Sequence, residues 1–249
     1  MRDAADEAGV TSATGFNYRY VPAVALAKQL LDEGRLGDVR HYRAVYLQDY
    51  ATAGGQPRSS GGAGAVLDYS HLVDLLRFFV GEPEAISART AAFVSEREDS
   101  YAALLDLPGG ATATLEASRV ATGWKGRQRV EVNGSEGSFW WDMEEPNRLH
   151  VFLAADEGEG AGGFRDVLVT QPDHPYLRQW WPPGHVLGWE HSFVHQWRDF
   201  LEAVLEDRPV PERQASFEDG YRAAVLCEAI HTSAREGRRV ETAETAAAA

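Results

Sequence analysis

Tyr101-Ala102-Ala103-Leu104-Leu105-Asp106-Leu107-Pro108-Gly109-Gly110-Ala111-Thr112-Ala113-Thr114-Leu115-Glu116-Ala117-Ser118 is the stretch that decides the fold. Two strand-like runs flank a Pro-Gly-Gly turn, too short a connection to hold a crossover helix. The same grammar continues in both directions. Ile86–Val94 precedes the pair, and Arg127–Val132, Gly137–Met143, Leu149–Leu153 and Arg165–Thr170 follow it. Asn133-Gly134 and the glycine-rich stretch 158–163 serve as further turn signals. Consecutive strands on short turns predict an antiparallel meander and not βαβ units.

Helical patterns surround this block. Residues 3–9 suit a short helix and Val10–Phe16 a short strand. Pro22 opens a helix in which Val24, Ala27, Leu30 and Leu31 recur at helical spacing, with Gly34 as its stop. Val39–Tyr50 reads as a strand and residues 51–64 as a loop. A helix is expected from Gly64 to Val80, ended by Gly81-Glu82-Pro83. Phe193, Val194, Trp197, Phe200, Leu201, Val204 and Leu205 form one wide apolar helix face. Ser216 and Asp219 resemble a capping box for a last helix running to about Arg235, and the tail from residue 240 reads as disordered. The expected class is α+β: one large open antiparallel sheet with helices packed on one face. Trp140 and Phe152 cannot both point inward with their neighbours, so the open face is expected to pair with a second copy in a homo-oligomer.

The balance of 38 acidic against 24 basic residues, a formal charge of -14, argues against nucleic acid or anionic membrane as a partner. No apolar run is long enough to span a bilayer, and the start is acidic instead of signal-like. The single cysteine, Cys227, excludes an intrachain disulfide and suits a reducing cytoplasm.

The chemistry-bearing residues concentrate at Asp68-Tyr69-Ser70-His71-Leu72-Val73-Asp74. On one continuous helix Asp68, His71 and Asp74 would share a face. A carboxylate beside an imidazole can fix its tautomer and raise its pKa; the bland reading is a hydrogen-bonded histidine with Asp68 as a cap. His191 and His195 are four apart, but no third ligand accompanies them and no metal is expected. The loop Trp180-Trp181-Pro182-Pro183-Gly184-His185 offers flat aromatic surface beside a polar tip. That suits a sugar ring, and suits a packed proline-rich loop equally. The glycines at 61, 62 and 64 lack the pattern of a phosphate-binding loop.

Gly15-Phe16-Asn17-Tyr18-Arg19-Tyr20-Val21-Pro22-Ala23, followed by Leu31-Asp32-Glu33-Gly34-Arg35-Leu36-Gly37-Asp38-Val39, resembles the Gfo/Idh/MocA oxidoreductases, as does Gly62 to Gly81. The likeness extends over roughly residues 3–239, and the segment 180–201 is similar to members acting on sugars, anhydrosugars or inositols. The resemblance implies NAD or NADP as cofactor. It also implies a catalytic or substrate-orienting His71 with Asp68 as its carboxylate partner, here three apart where many members have four. Tyr18 and Arg19 would line the cleft, with Gln48 and His185 as further substrate contacts. The family's glycine-rich nucleotide loop and its Glu-Lys-Pro motif precede the matched region and are not in this chain. Residues 1–16 are therefore expected to be a remnant of a Rossmann domain and 17–239 a substrate-binding and oligomerisation domain. A separate nucleotide-binding chain is a possible partner on this reading, and Val10–Phe16 should be exposed, refolded, swapped or paired with another chain. Two other functions remain open: a non-catalytic sugar-binding or scaffolding protein, and a carboxylate-dependent glycoside hydrolase or lyase.

Overall fold

A computed structural model describes residues 1–52, 63–158, 160 and 162–248. Helix α1 is Arg2–Ala8, and a 3-10 turn at Asn17–Tyr20 leads into α2, Pro22–Asp32. Strand β1 is Val39–Leu47. Two helical pieces follow, α3 (Ala65–Asp68) and α4 (Ser70–Val80). The strands β2 (Ala85–Ala91), β3 (Ser100–Asp106), β4 (Thr112–Ser118), β5 (Arg127–Gly134), β6 (Gly137–Asp142), β7 (Arg148–Leu153) and β8 (Arg165–Leu168) come next. Helices α5 (Glu190–Leu205) and α6 (Phe217–Glu236), edge strand β9 (Val240–Glu241) and helix α7 (Thr242–Ala248) complete the chain.

One sheet carries all the strands in the order β8-β7-β6-β5-β1-β4-β3-β2-β9. It is mixed instead of wholly antiparallel, because β1 and β4 pair in parallel. The reason is the crossover through α3 and α4. It carries the chain from β1 to the far side of the sheet, and β2, β3 and β4 then return as an antiparallel meander until β4 lies beside β1. The second meander, β5 to β8, grows from the other flank of β1.

Alternation sorts the faces. Tyr42, Ala44 and Tyr46 of β1, Ala113, Leu115 and Ala117 of β4, and Phe139 and Trp141 of β6 are buried on the inner face. Against them α4 sets Leu72, Leu75, Leu76 and Phe79, and Phe79 meets Phe139 ring to ring at 5.1 Å. Each such side chain contributes roughly 1.5–3 kcal/mol of burial. Helix α6 starts in a full capping box: Ser216 Oγ accepts from the Asp219 amide, and Asp219 Oδ2 accepts from the Ser216 amide. The outer face keeps Trp140 stacked on His150 at 3.5 Å, with the Arg129 guanidinium over the same indole, and Phe152 beside Phe164.

Several expectations are corrected. Residues 10–16 form no strand; Thr14 is instead tied to the connection between α5 and α6, its amide donating to Ala215 O and its carbonyl accepting from Gln196 and Gln214. Gly134 belongs to β5 and makes no turn. A Cβ there would lie 2.1 Å from Leu36 O, so close backbone approach is what requires glycine. The segment from residue 240, expected to be disordered, pairs with β2 and then turns helical. Helix α5 turns most of its apolar face outward. Its buried residues are Ser192, His195, Gln196 and Ala203, while Val194, Trp197, Leu201, Val204 and Leu205 are exposed. The 51–64 loop and the glycines at 61 and 62 lie largely or wholly outside the described residues.

Candidate functional site

The helix expected to carry Asp68, His71 and Asp74 on one face is broken at Tyr69. Tyr69 is buried, with its hydroxyl donating to Ser118 O and its ring 4.7 Å from that of Tyr46. This anchoring interrupts the helical register between Asp68 and His71. Asp68 consequently turns away, accepting from the Tyr50 hydroxyl at 3.0 Å and from Arg119 at 3.4 Å. The Asp68–His71 pairing is not made. Arg119 is anchored in turn on the buried Asp99. Although burial opposes ionisation there, the amides of Val94 and Phe93 and the Arg119 guanidinium hold that carboxyl down to about 2.

His71 is held by aromatic rings instead. Phe16 and Tyr18 both meet it edge-on, with centroids at 5.6 and 4.9 Å. Its Nδ1 is buried with no hydrogen-bond partner among the described residues. Burial lowers its pKa to about 4, so the imidazole is neutral near pH 7. Tyr18 is buried. Its hydroxyl lies 3.2 Å from that of Tyr46 and 3.2 Å from Met143 Sδ, and the indole of Trp189 reaches the same hydroxyl.

Arg19 does not present its charge to a ligand. It is buried, and Nε and Nη2 grip the two oxygens of Asp74 at 3.0 and 2.6 Å, with Asp219 a further 3.3 Å contact. Burial raises Asp74 to about 6, and the guanidinium opposes that rise. Gln48 lies one residue past β1, and its amide donates to Lys125 O. Lys125 Nζ bonds Asp49, which also accepts from the Gly123 amide and is lowered by that ammonium group. His185 is exposed and makes its contacts within its own loop, with Pro182 O and the Trp181 ring.

The remaining histidine candidate is structural. His195 Nε2 accepts from the Trp180 indole at 2.7 Å, which leaves Nδ1 to donate to Tyr20 O at 3.1 Å, and its ring stacks on Tyr176. Among the described residues no group of three or more His, Cys, Asp or Glu could hold a metal ion. No described helix is long and apolar enough to cross a membrane.

The structure thus brings together Tyr18 and His71 and detaches Arg19 and Asp68 from them. It adds Phe16, Tyr46, Met143 and Trp189, with Gln128 paired across the sheet to Tyr46. Gln128 is not among the residues singled out from the sequence, although it is polar in the inward phase of a strand whose other inward residues are Val130 and Val132.

Comparison with known proteins bears on the fold and the family. Residues 24–140 match the GFO/IDH/MocA C-terminal domain. The chain is 31% identical to levoglucosan dehydrogenase of Pseudarthrobacter phenanthrenivorans, over 99% of its own length and 70% of that protein's. An oxidoreductase domain protein from Kribbella flavida superposes with a TM-score of 0.89 at 38% identity, covering 97% of this chain and 68% of that one. A levoglucosan dehydrogenase solved with NADH and levoglucosan gives a TM-score of 0.89 at 32% identity, over 96% of this chain and 69% of that one. With likeness of this extent in both sequence and fold, the chain belongs to the Gfo/Idh/MocA family of oxidoreductases.

Proposed function

We propose that this chain supplies the substrate side of an NAD(P)-dependent dehydrogenase acting on a hydroxyl carbon of a sugar, anhydrosugar or cyclitol. The observation that carries the reading is His71, an imidazole kept neutral by burial and aimed by two aromatic rings rather than by a carboxylate. Oxidation of an alcohol removes a hydride from carbon and a proton from oxygen; the nicotinamide, when bound, takes the hydride. A neutral imidazole is the form that accepts the proton, and with Nδ1 buried, Nε2 is the nitrogen left to meet the hydroxyl. Tyr18 holds the His71 ring in place, and Gln48 and Trp189 are the polar and aromatic walls offered to the sugar.

The nucleotide side is not accounted for by the described residues. No strand precedes α2 among them, so no strand–turn–helix cradle for a pyrophosphate is found there. The apolar stripe of α5 and the groove between Trp197, Phe200 and Val10 favour a covering partner, and a nucleotide-binding unit is the one the reaction needs. The open sheet face, with exposed Leu104 and half-buried Trp140, is the surface proposed for a homo-oligomer.

The turning of Asp68 away from His71 favours a second reading, a sugar-binding protein without its own catalysis. Hydrolysis by Asp49, Asp68, Asp74 or Asp99 is disfavoured, because each is held by a neighbouring cation. Calorimetry separates the readings. Levoglucosan or myo-inositol should bind the chain and lose affinity in His71→Ala. NAD(P)-dependent turnover should appear when a nucleotide-binding unit is present. Binding with no turnover in any such combination supports the second reading, and absence of polyol binding refutes both.

A further inference from the structure

We propose that the side-chain amide of Gln128 is a substrate-binding group of this cleft, recognising a hydroxyl next to the one met by His71. The inference rests on reading the cleft as a polyol site. Gln128 is fully buried, and neither its Nε2 nor its Oε1 has a hydrogen-bond partner among the described residues. An amide in that state is costly, since both its donors and its acceptor have been taken from water without replacement.

Its place in the sheet says what it faces. Tyr46 of β1 lies directly opposite Gln128, and on the other side its carbonyl accepts from the Met143 amide. Cross-strand partners share a face, so the three side chains stand in one row on the inner side. Both neighbours converge on one atom, the Tyr18 hydroxyl, at 3.2 Å each. The Tyr18 ring abuts His71, whose Nδ1 is also without a partner. His71, against the Tyr18 ring, and Gln128, in one row with the two side chains that meet the Tyr18 hydroxyl, thus contribute three unpartnered polar atoms, while the inner-face residues Val130, Phe139 and Trp141 form an apolar wall.

The chemistry of the ligand follows from what this group can and cannot do. A carboxamide presents donors and an acceptor together, which matches the paired donor and acceptor character of vicinal hydroxyls. It carries no charge. Arg19, Arg119 and Lys125 are ion-paired with Asp74, Asp99 and Asp49. An uncharged polyol suits this cleft better than a sugar phosphate or a uronate, which would need a free cation.

The test uses the whole chain, levoglucosan and myo-inositol as probes, and the variants Gln128→Met, Gln128→Leu and His71→Ala, each followed by calorimetry and thermal unfolding. Methionine matches glutamine in length without polar atoms at its end. The expected result is binding of at least one probe weakened about tenfold or more in both Gln128 variants. The Tm of the ligand-free variants should be unchanged or a few degrees higher, because an unpaired amide has been removed. Unchanged affinity in Gln128→Met alongside loss in His71→Ala would overturn the role of Gln128 and leave the cleft reading standing. A lower Tm in both Gln128 variants would overturn it too, by showing that the amide is bonded within the fold. Failure of the unmodified chain to bind either probe would refute the cleft reading itself.

Discussion

Acidification from pH 7.5 to 4.5 is expected to remove about 2.5 kcal/mol of stability through His71 alone. The folded-state pKa of this imidazole is depressed from 6.5 to about 4 because burial disfavours its charged form. Between those two values the unfolded chain takes up the proton and the folded one does not. Stability is therefore complete above about pH 6.5 and falls as the pH drops toward 4. At pH 4.5 the unfolded imidazole is almost wholly protonated and the folded one about a quarter so. That ratio of binding polynomials gives the ~2.5 kcal/mol, out of a limit near 3.4 kcal/mol for the whole shift. His195, also lowered to about 4 by burial, adds a loss of the same sign, so the wild type alone cannot apportion it. The comparison is with His71→Phe, which keeps a ring between Phe16 and Tyr18. Urea unfolding at the two pH values should show a stability loss smaller in the variant by about 2.5 kcal/mol. Equal losses in both proteins, or a His71 ring resonance titrating near 6.5, would refute the claim that burial keeps this imidazole neutral.

Breaking the buried pair with Arg19→Met should cost about 3–5 kcal/mol in chemical denaturation, because Asp74 is left buried and uncompensated. Arg19→Met combined with Asp74→Leu should recover much of that loss. Gly134→Ala drives a methyl into Leu36 O and should destabilise by at least ~1–3 kcal/mol, read as a fall in Tm. Trp197→Glu on the exposed side of α5 should change the stability of the chain by no more than about 0.5 kcal/mol. Leu104→Glu with Trp140→Glu on the open sheet face should yield a smaller species in light scattering without unfolding the chain.

Local rules were legible where they act over a few residues. Strand boundaries from Ala85 to Leu168, the Ser216 capping box and the inward phase of the strands follow from alternation, turn chemistry and the reach of one side chain to a nearby amide. The family was legible too, in the segment Gly15–Val39 and the helix around His71. The site was legible only in part. Tyr18 and His71 belong together, but Arg19 and Asp68, close to them in sequence, are engaged elsewhere. Met143, 125 residues on, reaches the hydroxyl of the same tyrosine.

By itself, then, the sequence determined the class of fold and the pairing of adjacent strands, and it pointed to His71 as the residue proposed for the chemistry. Tertiary structure alone decided the parallel pairing of β1 with β4, since a crossover fixes its direction only when the sheet closes around it. It decided that α5 turns its apolar stripe outward, because Ser192, His195 and Gln196 find partners inside: Asn17, Trp180 with Tyr20, and Thr14. It also decided the partner of His71. The spacing of Asp68 to His71 describes a continuous helix, and the anchored ring of Tyr69 breaks that helix between them, replacing a carboxylate by two aromatic edges.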